Sequence, residues 1–236
     1  MMGERNMGFS EKTHVFIIAK YYEHLTRAFG ERGREAFIHA TKYYARQRGS
    51  RMAQRVIRDG EKLDYASFCR YGEWVPSQES IEEGTACAPE VTSVAPDYEF
   101  HVHVCPWQRQ FAAMGMQEAG KAYCTYLDEA IMHGYHAEID FRTIQTQHTS
   151  DYCVFKVMNA GLTPDTKVDK VQEYVKGFDY HCAHTYYSFA EMAQAIFGAE
   201  GTAAAERVLG EFRETYGETM TEQLTAYQDE NFNVCR

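Results

Sequence analysis

The chain is expected to fold as an α+β protein, a small antiparallel sheet from its middle third covered by helical hairpins from its two ends. Three observations predict this. Apolar and aromatic residues recur at helical spacing in the first and last thirds. In the middle they alternate with a period of two. A helix–turn–helix pattern also occurs twice, its landmarks offset by 168 residues.

In residues 13–29, Phe16, Ile17, Tyr21, Leu25 and Phe29 follow helical spacing, and Gly30 and Gly33 punctuate the pattern. Residues 34–48 form a second helix with Phe37, Ala40 and Tyr44 on one face and Gly49 as its stop. Residues 50–60 make a third helical piece. The basic residues between 42 and 58 read as a solvated helix face. Phe29-Gly30, Gly33, Ala36, Gly49 and Met52 return as Phe197-Gly198, Gly201, Ala204, Gly217 and Met220, and Glu23 matches Glu191. Two related helical hairpins on a common core follow.

In the middle, residues 98–105 alternate as a strand, with Phe100, Val102 and Val104 on one side and His101, His103 and Cys105 on the other. Residues 107–115 and 120–134 read as helices. Residues 138–148 pair as a hairpin with 152–158 across Thr149-Ser150-Asp151, and 63–97 hold irregular structure with one or two short strands. The expected organisation is one domain: a flexible lead over 1–12, helices over 13–60, a mixed core over 61–158 and helices over 159–236.

Bulk properties narrow the function. A length of 236 residues with 44% hydrophobic and 25% charged residues suits an ordinary globular domain with a full core. A net charge of −10 opposes a phosphate backbone, so nucleic acid is excluded as a partner. No apolar stretch approaches a membrane span, and the first ten residues lack the apolar core of a signal peptide. Seven scattered cysteines, an odd number without framework spacing, point to reduced thiols in a cytoplasmic protein. The partner is a small molecule, and a homodimer is the default assembly.

Three stretches could carry chemistry. In His101-Val-His103-Val-Cys105-Pro106-Trp107, Pro106 favours the first position of a helix. Cys105 then sits at a strand-to-helix junction, where the helix dipole favours a thiolate and His103 could serve as base. In Tyr123-Cys124-Thr-Tyr126-Leu127-Asp128, Cys124 and Asp128 are four apart, on one helix face, and Asp128 could orient an imidazole or hold a substrate nitrogen. In residues 141–155, Arg142, Thr146 and His148 share a strand face where an Arg fork would suit a carboxylate, and Cys153 and Phe155 share a face of the return strand. The donor types would also suit zinc or iron, but their spacing matches no standard zinc pattern, and no cofactor is implied.

At these residues the sequence resembles the L-2-amino-thiazoline-4-carboxylate hydrolase family. The resemblance rests on Cys105 before an aromatic-containing helix, Cys124 with Asp128, Arg142-Thr143-x-x-Thr146, and Cys153-x-Phe155 after a short turn. The Phe29-Gly30 turn and Arg48-Gly49-Ser50-Arg51-Met52 fit its N-terminal region, so the likeness spans residues 14–158. The chain departs from the family by an extra residue before Thr146 and by the missing Gly in the turn before Cys153. The Cys-x-Phe hairpin is more distantly similar to 4-vinyl-reductase-like ligand-binding domains, a likeness that does not decide function.

The resemblance implies hydrolysis of a carbon–nitrogen or carbon–sulfur bond in a small cyclic amidine or thiazoline carboxylate. The residues expected to act are Cys105 as nucleophile, with Cys124 or Cys153 as alternatives, His103 or His148 moving the proton, and Asp128 on the amidine. Arg142, Thr146, Trp107 and Tyr123 would bind substrate. Two other classes remain open at this point: a metal-dependent hydrolase using the same donors, and a ligand-binding or sensor domain without a reactive thiol.

Overall fold

The computed structural model describes residues 8–236. The expected lead over 1–12 lies outside the described residues up to residue 7. Its end is corrected, because Ser10 already caps the first helix, α1 (Glu11–Phe29). The Ser10 backbone N–H donates to Thr13 Oγ1 at 2.8 Å, and the Ser10 hydroxyl accepts from the Lys12 amide at 3.3 Å. Val15, Ile17, Ile18, Tyr21 and Leu25 of α1 are all buried, so this helix runs through the core.

The α+β class holds, and the repeat is real in space. Gly30 joins α1 to α2 (Glu31–Arg58) with φ 60° and ψ −132°. Gly198 joins α8 (Phe178–Phe197) to α9 (Ala199–Tyr216) with φ 61° and ψ −134°. Only glycine adopts such angles without strain. A Cβ on Gly33 would overlap the Leu25 carbonyl, and one on Gly201 would overlap the Ala193 carbonyl, so both hairpins cross backbone on backbone at equivalent points. The Phe29 and Phe197 rings stack on each other, centroids 3.7 Å apart and 3° from parallel. The two hairpins share one core, in which Tyr21 and Phe37 pack with Phe189. A short helix, α10 (Glu218–Thr225), closes the chain.

Four expectations are corrected. First, α2 does not stop at Gly49 but continues to Arg58. Gly49 is needed for a helix crossing rather than a cap. A Cβ there would overlap the Ile131 carbonyl on α7 (Leu127–Tyr135), and one on Gly134 of α7 would overlap the Arg46 carbonyl. Second, the helix expected over 120–134 is two helices, α6 (Gln117–Cys124) and α7. The break at Thr125-Tyr126 lets α6 pack on α1 while α7 follows α2. Cys124 and Asp128 therefore sit on different helices. Third, the basic run on α2 is a solvated face only in part: Arg46 and Arg58 are exposed, but Arg48, Arg51 and Arg55 are all buried.

The fourth correction concerns the sheet. Its order is β1 (Pro89–Ser93), β2 (Tyr98–Val102), β4 (Cys153–Val157), β3 (Phe141–Gln145), all antiparallel. The register pairs Tyr98 with Val157, Phe100 with Phe155 and Val102 with Cys153 on the inner face. The chain leaves the ladder after Val102, so the alternation expected to Cys105 ends early. His101 stays on the outer face, while Cys105 swings in beside Val102 and Cys153. Between α2 and β1 the chain forms two short helices, α3 (Tyr65–Arg70) and α4 (Gln78–Glu82).

The α2–α7 crossing yields a stability prediction. Gly49→Ala and Gly134→Ala should each cost about 1–3 kcal/mol by overpacking. Gly210→Ala, in open space on α9, should stabilise by up to ~1 kcal/mol through helix propensity. Urea unfolding measures all three; equal behaviour at the three sites would mean the helices do not touch.

Candidate functional site

Arg48, Arg51 and Arg55 follow one another at helical spacing on α2, and their burial demands counter-charge. Glu73, itself fully buried, answers two of them. It takes Arg51 bidentately, with Nε to Oε1 at 2.9 Å and Nη2 to Oε2 at 2.7 Å, and accepts from Arg55 Nη1 at 2.8 Å. Burial alone would raise this acid, but the Arg51 charge and bonds, with Arg55, hold Glu73 down at about 2. Arg51 also donates to the Phe232 carbonyl and, at 3.3 Å, to His184 Nδ1. His184 in turn donates from Nε2 to Gln47 Oε1 at 2.9 Å and stays neutral, its pKa driven down by burial and Arg51.

Arg48 differs. It is buried to 7% exposure, yet makes no hydrogen bond or ion pair with any side chain among the described residues, and its Nε has no partner. Near enough to feel its charge are three other incompletely bonded groups. The Tyr123 hydroxyl is buried without a partner, and neither ring nitrogen of His181 on α8 makes a well-formed hydrogen bond, although the Glu73 backbone lies close enough to influence the ring. Burial first, then Arg48, pushes His181 to about 3, so its ring is neutral. Asp128 on α7 is partly accessible and lifted to about 6 by burial, against the pull of Arg48.

The thiols gather beside Asp128. Cys105 caps α5 (Pro106–Ala113), with Pro106 at its first position. Its thiol is lowered, chiefly because the Cys87 thiol beside it stabilises the thiolate, and also by the Gln108 and Trp107 amides of the first turn. Burial pushes Cys124 well up and Cys153 to about 11, and each feels the charges of Cys105 and Asp128. The structure thus brings Cys105, Cys124, Cys153, Asp128 and Tyr123 into one neighbourhood. Trp107 joins it, donating from Nε1 to His14 Nδ1 at 3.0 Å. Since that nitrogen accepts, His14 donates from Nε2 to Thr185 Oγ1 at 2.7 Å.

The other expected residues are placed differently. His103 is half exposed beyond the end of β2, its Nε2 2.9 Å from Glu90. Arg142 sits on the edge strand, 54% exposed and bidentate on Asp140 at 2.8 and 2.5 Å. Thr146 is buried, its carbonyl taken by the Thr149 and Ser150 amides. His148 packs edge-on to Phe111 and over Gly120, with Nε2 unpartnered and its pKa lowered by burial. Among the described residues no group of three His, Cys, Asp or Glu is arranged to hold a metal ion, and no helix is long and apolar enough to cross a membrane.

Sequence reasoning missed Arg48, Glu73 and Cys87 as site residues, while His181 and His184, at the start of the aromatic segment 180–189, are expected from it to be structural or to face the site from the helical layer. Gly49 and Met52, interleaved with Arg48 and Arg51, are the signal that this face of the helix packs rather than meets water. Glu73→Gln should cost about 3–5 kcal/mol, because it strands two buried cations. The sign of its pH dependence is fixed: with a folded pKa near 2 against an ordinary 4.5, Glu73 contributes stability above pH 4.5 that is lost as pH falls toward 2. Urea unfolding between pH 7 and pH 2 checks this, and wild-type stability that does not fall over that acid range would contradict it.

A family model described as L-2-amino-thiazoline-4-carboxylic acid hydrolase matches residues 10–157, from the start of α1 to the end of β4. No curated protein and no solved structure matches the chain. The matched span takes in Arg48, Glu73, Cys105, Tyr123, Cys124, Asp128 and Cys153, and leaves His181 and His184 of α8 beyond it. The chain belongs to the L-2-amino-thiazoline-4-carboxylic acid hydrolase family.

Proposed function

We propose that the protein opens a small thiazoline-type ring, hydrolysing a carbon–sulfur or carbon–nitrogen bond of a cyclic amidine through the thiolate of Cys105. The observation that carries this reading is the position of Cys105 at the α5 N-terminus, packed with Cys87 and Cys153, which lowers its thiol close to an Asp128 carboxyl held at about 6. Family membership supports the reaction class. Cys124 and Cys153, both raised by burial, serve as walls.

The chemistry proceeds in two halves. Asp128 as carboxylate holds the cationic amidine, and the Cys105 thiolate attacks its central carbon, moving the C=N electron pair onto nitrogen. The adduct collapses: the ring heteroatom leaves with the electron pair of its bond to that carbon, and the carbon remains on the Cys105 sulfur. Water then attacks this carbon while Asp128 takes one of its protons. The carbon–Cys105 bond breaks, a urea-type carbonyl forms and the thiolate returns. Asp128 passes its proton to the departed heteroatom, and the amidine's extra proton goes to solvent. Asp128 takes the proton role because His103 is engaged by Glu90.

This predicts that kcat/KM rises with pH through about 6 as Asp128 ionises. In Asp128→Asn that limb should vanish and the rate fall by roughly 10²–10⁴-fold. Intact-mass measurement with 2-amino-thiazoline-4-carboxylate should detect an adduct on wild type and none on Cys105→Ala, whose fold is checked by circular dichroism. Undiminished turnover in Cys105→Ala would end the thiolate mechanism.

A further inference from the structure

We propose that Arg48, flanked by Tyr123 and by His181 of α8, is the residue that determines carboxylate selectivity, seating the ligand's carboxylate while the cationic end faces Asp128. This rests on the ring-opening reading for the identity of the cationic end, and on geometry for the anion seat. Of three buried arginines on α2, two share the Glu73 carboxylate and the third has no bonded counter-ion. A protein does not leave a buried guanidinium unpaired without cost. Asp128 is the nearest acid not already engaged, yet no ion pair joins it to Arg48. The two opposite charges stand apart, which is the arrangement a ligand carrying both signs would fill.

The orphaned atoms around Arg48 agree. Buried polar groups without partners are rare, but Arg48 Nε, the Tyr123 hydroxyl and both nitrogens of His181 are such atoms, and Tyr123 and His181 both feel the Arg48 charge. The guanidinium fork and the phenol donate to carboxylate oxygens. His181, neutral in the fold, offers one N–H to the same anion and one lone pair to an N–H beside it on the ligand. The helix that supplies His181 lies outside the matched residues 10–157, so the C-terminal hairpin completes the binding site and takes part in its selectivity.

Calorimetric titration of the Cys105→Ala protein tests this without turnover, using 2-amino-thiazoline-4-carboxylate, its carboxamide and 2-amino-thiazoline. The carboxylate should bind roughly 10- to 100-fold more tightly than either uncharged-end analogue, the range for bonds to a charged group. Adding Arg48→Met should erase that preference, Arg48→Lys should restore part of it, and His181→Phe should weaken the carboxylate alone. Thermal unfolding without ligand guards against a folding artefact: Arg48→Met should unfold no earlier than wild type, because the charge it removes has no bonded counter-ion and the Met side chain can still pack over the Tyr44 ring, which lies 5.7 Å from the guanidinium carbon. Equal binding of the three compounds, an unchanged preference in Arg48→Met, or early unfolding of that variant overturns the inference. Ring opening that ignores the carboxylate would sink this inference and spare the hydrolase reading. Arg48-dependent binding with no ring opening would do the reverse.

Discussion

The crossing of α2 over α7, backbone against backbone at Gly49 and Gly134, is the constraint on which the site depends. Two helices can approach this closely only where neither carries a Cβ at the contact. Arg48 is the residue before Gly49, and Asp128 lies one turn before Ile131, whose carbonyl meets Gly49. Close contact therefore carries the cation of one helix to the acid of the other. A side chain at either glycine would push the helices apart and with them the two charges.

The electrostatics follow from how the buried charges divide. Glu73 is ionised and fully engaged between Arg51 and Arg55, and together with the His184–Gln47 link it fixes α2 to α8 and to the C-terminal segment at Phe232. That network is structural, since every charge in it has a partner. Arg48 and Asp128 fall outside it. One has no bonded counter-ion, and the other is held where it can exchange a proton near neutrality. The contrast on a single helix separates the residues that hold the fold from those poised for chemistry.

Much of the architecture was legible because it rests on local rules. The FGxxG turns announced positive-φ glycines at Gly30 and Gly198, and the doubled pattern announced two hairpins sharing a core. Pro106 placed Cys105 at a helix start. What stayed hidden is tertiary. The spacing of Arg48, Arg51 and Arg55 is the same whether a helix faces water or a buried Glu73 far along the chain. Gly49 looks like a cap until α7 is seen against it. The alternation through His101, His103 and Cys105 misled because the ladder ends at Val102, and two irregular residues are enough to turn a thiol to the other side of a sheet. Arg142 is exposed because β3 is an edge strand, and Asp140 two residues away pairs with it.

The account centres on one thiol being activated by its surroundings while its neighbours are suppressed. The direct test is the alkylation rate of each of the seven cysteines with iodoacetamide from pH 5 to pH 9, read peptide by peptide by mass spectrometry. Cys105 should react first, and below the pH at which an ordinary thiol ionises, with Cys124 and Cys153 slow throughout. Faster labelling of Cys124 or Cys153, or a Cys105 that titrates like a free thiol, would contradict it.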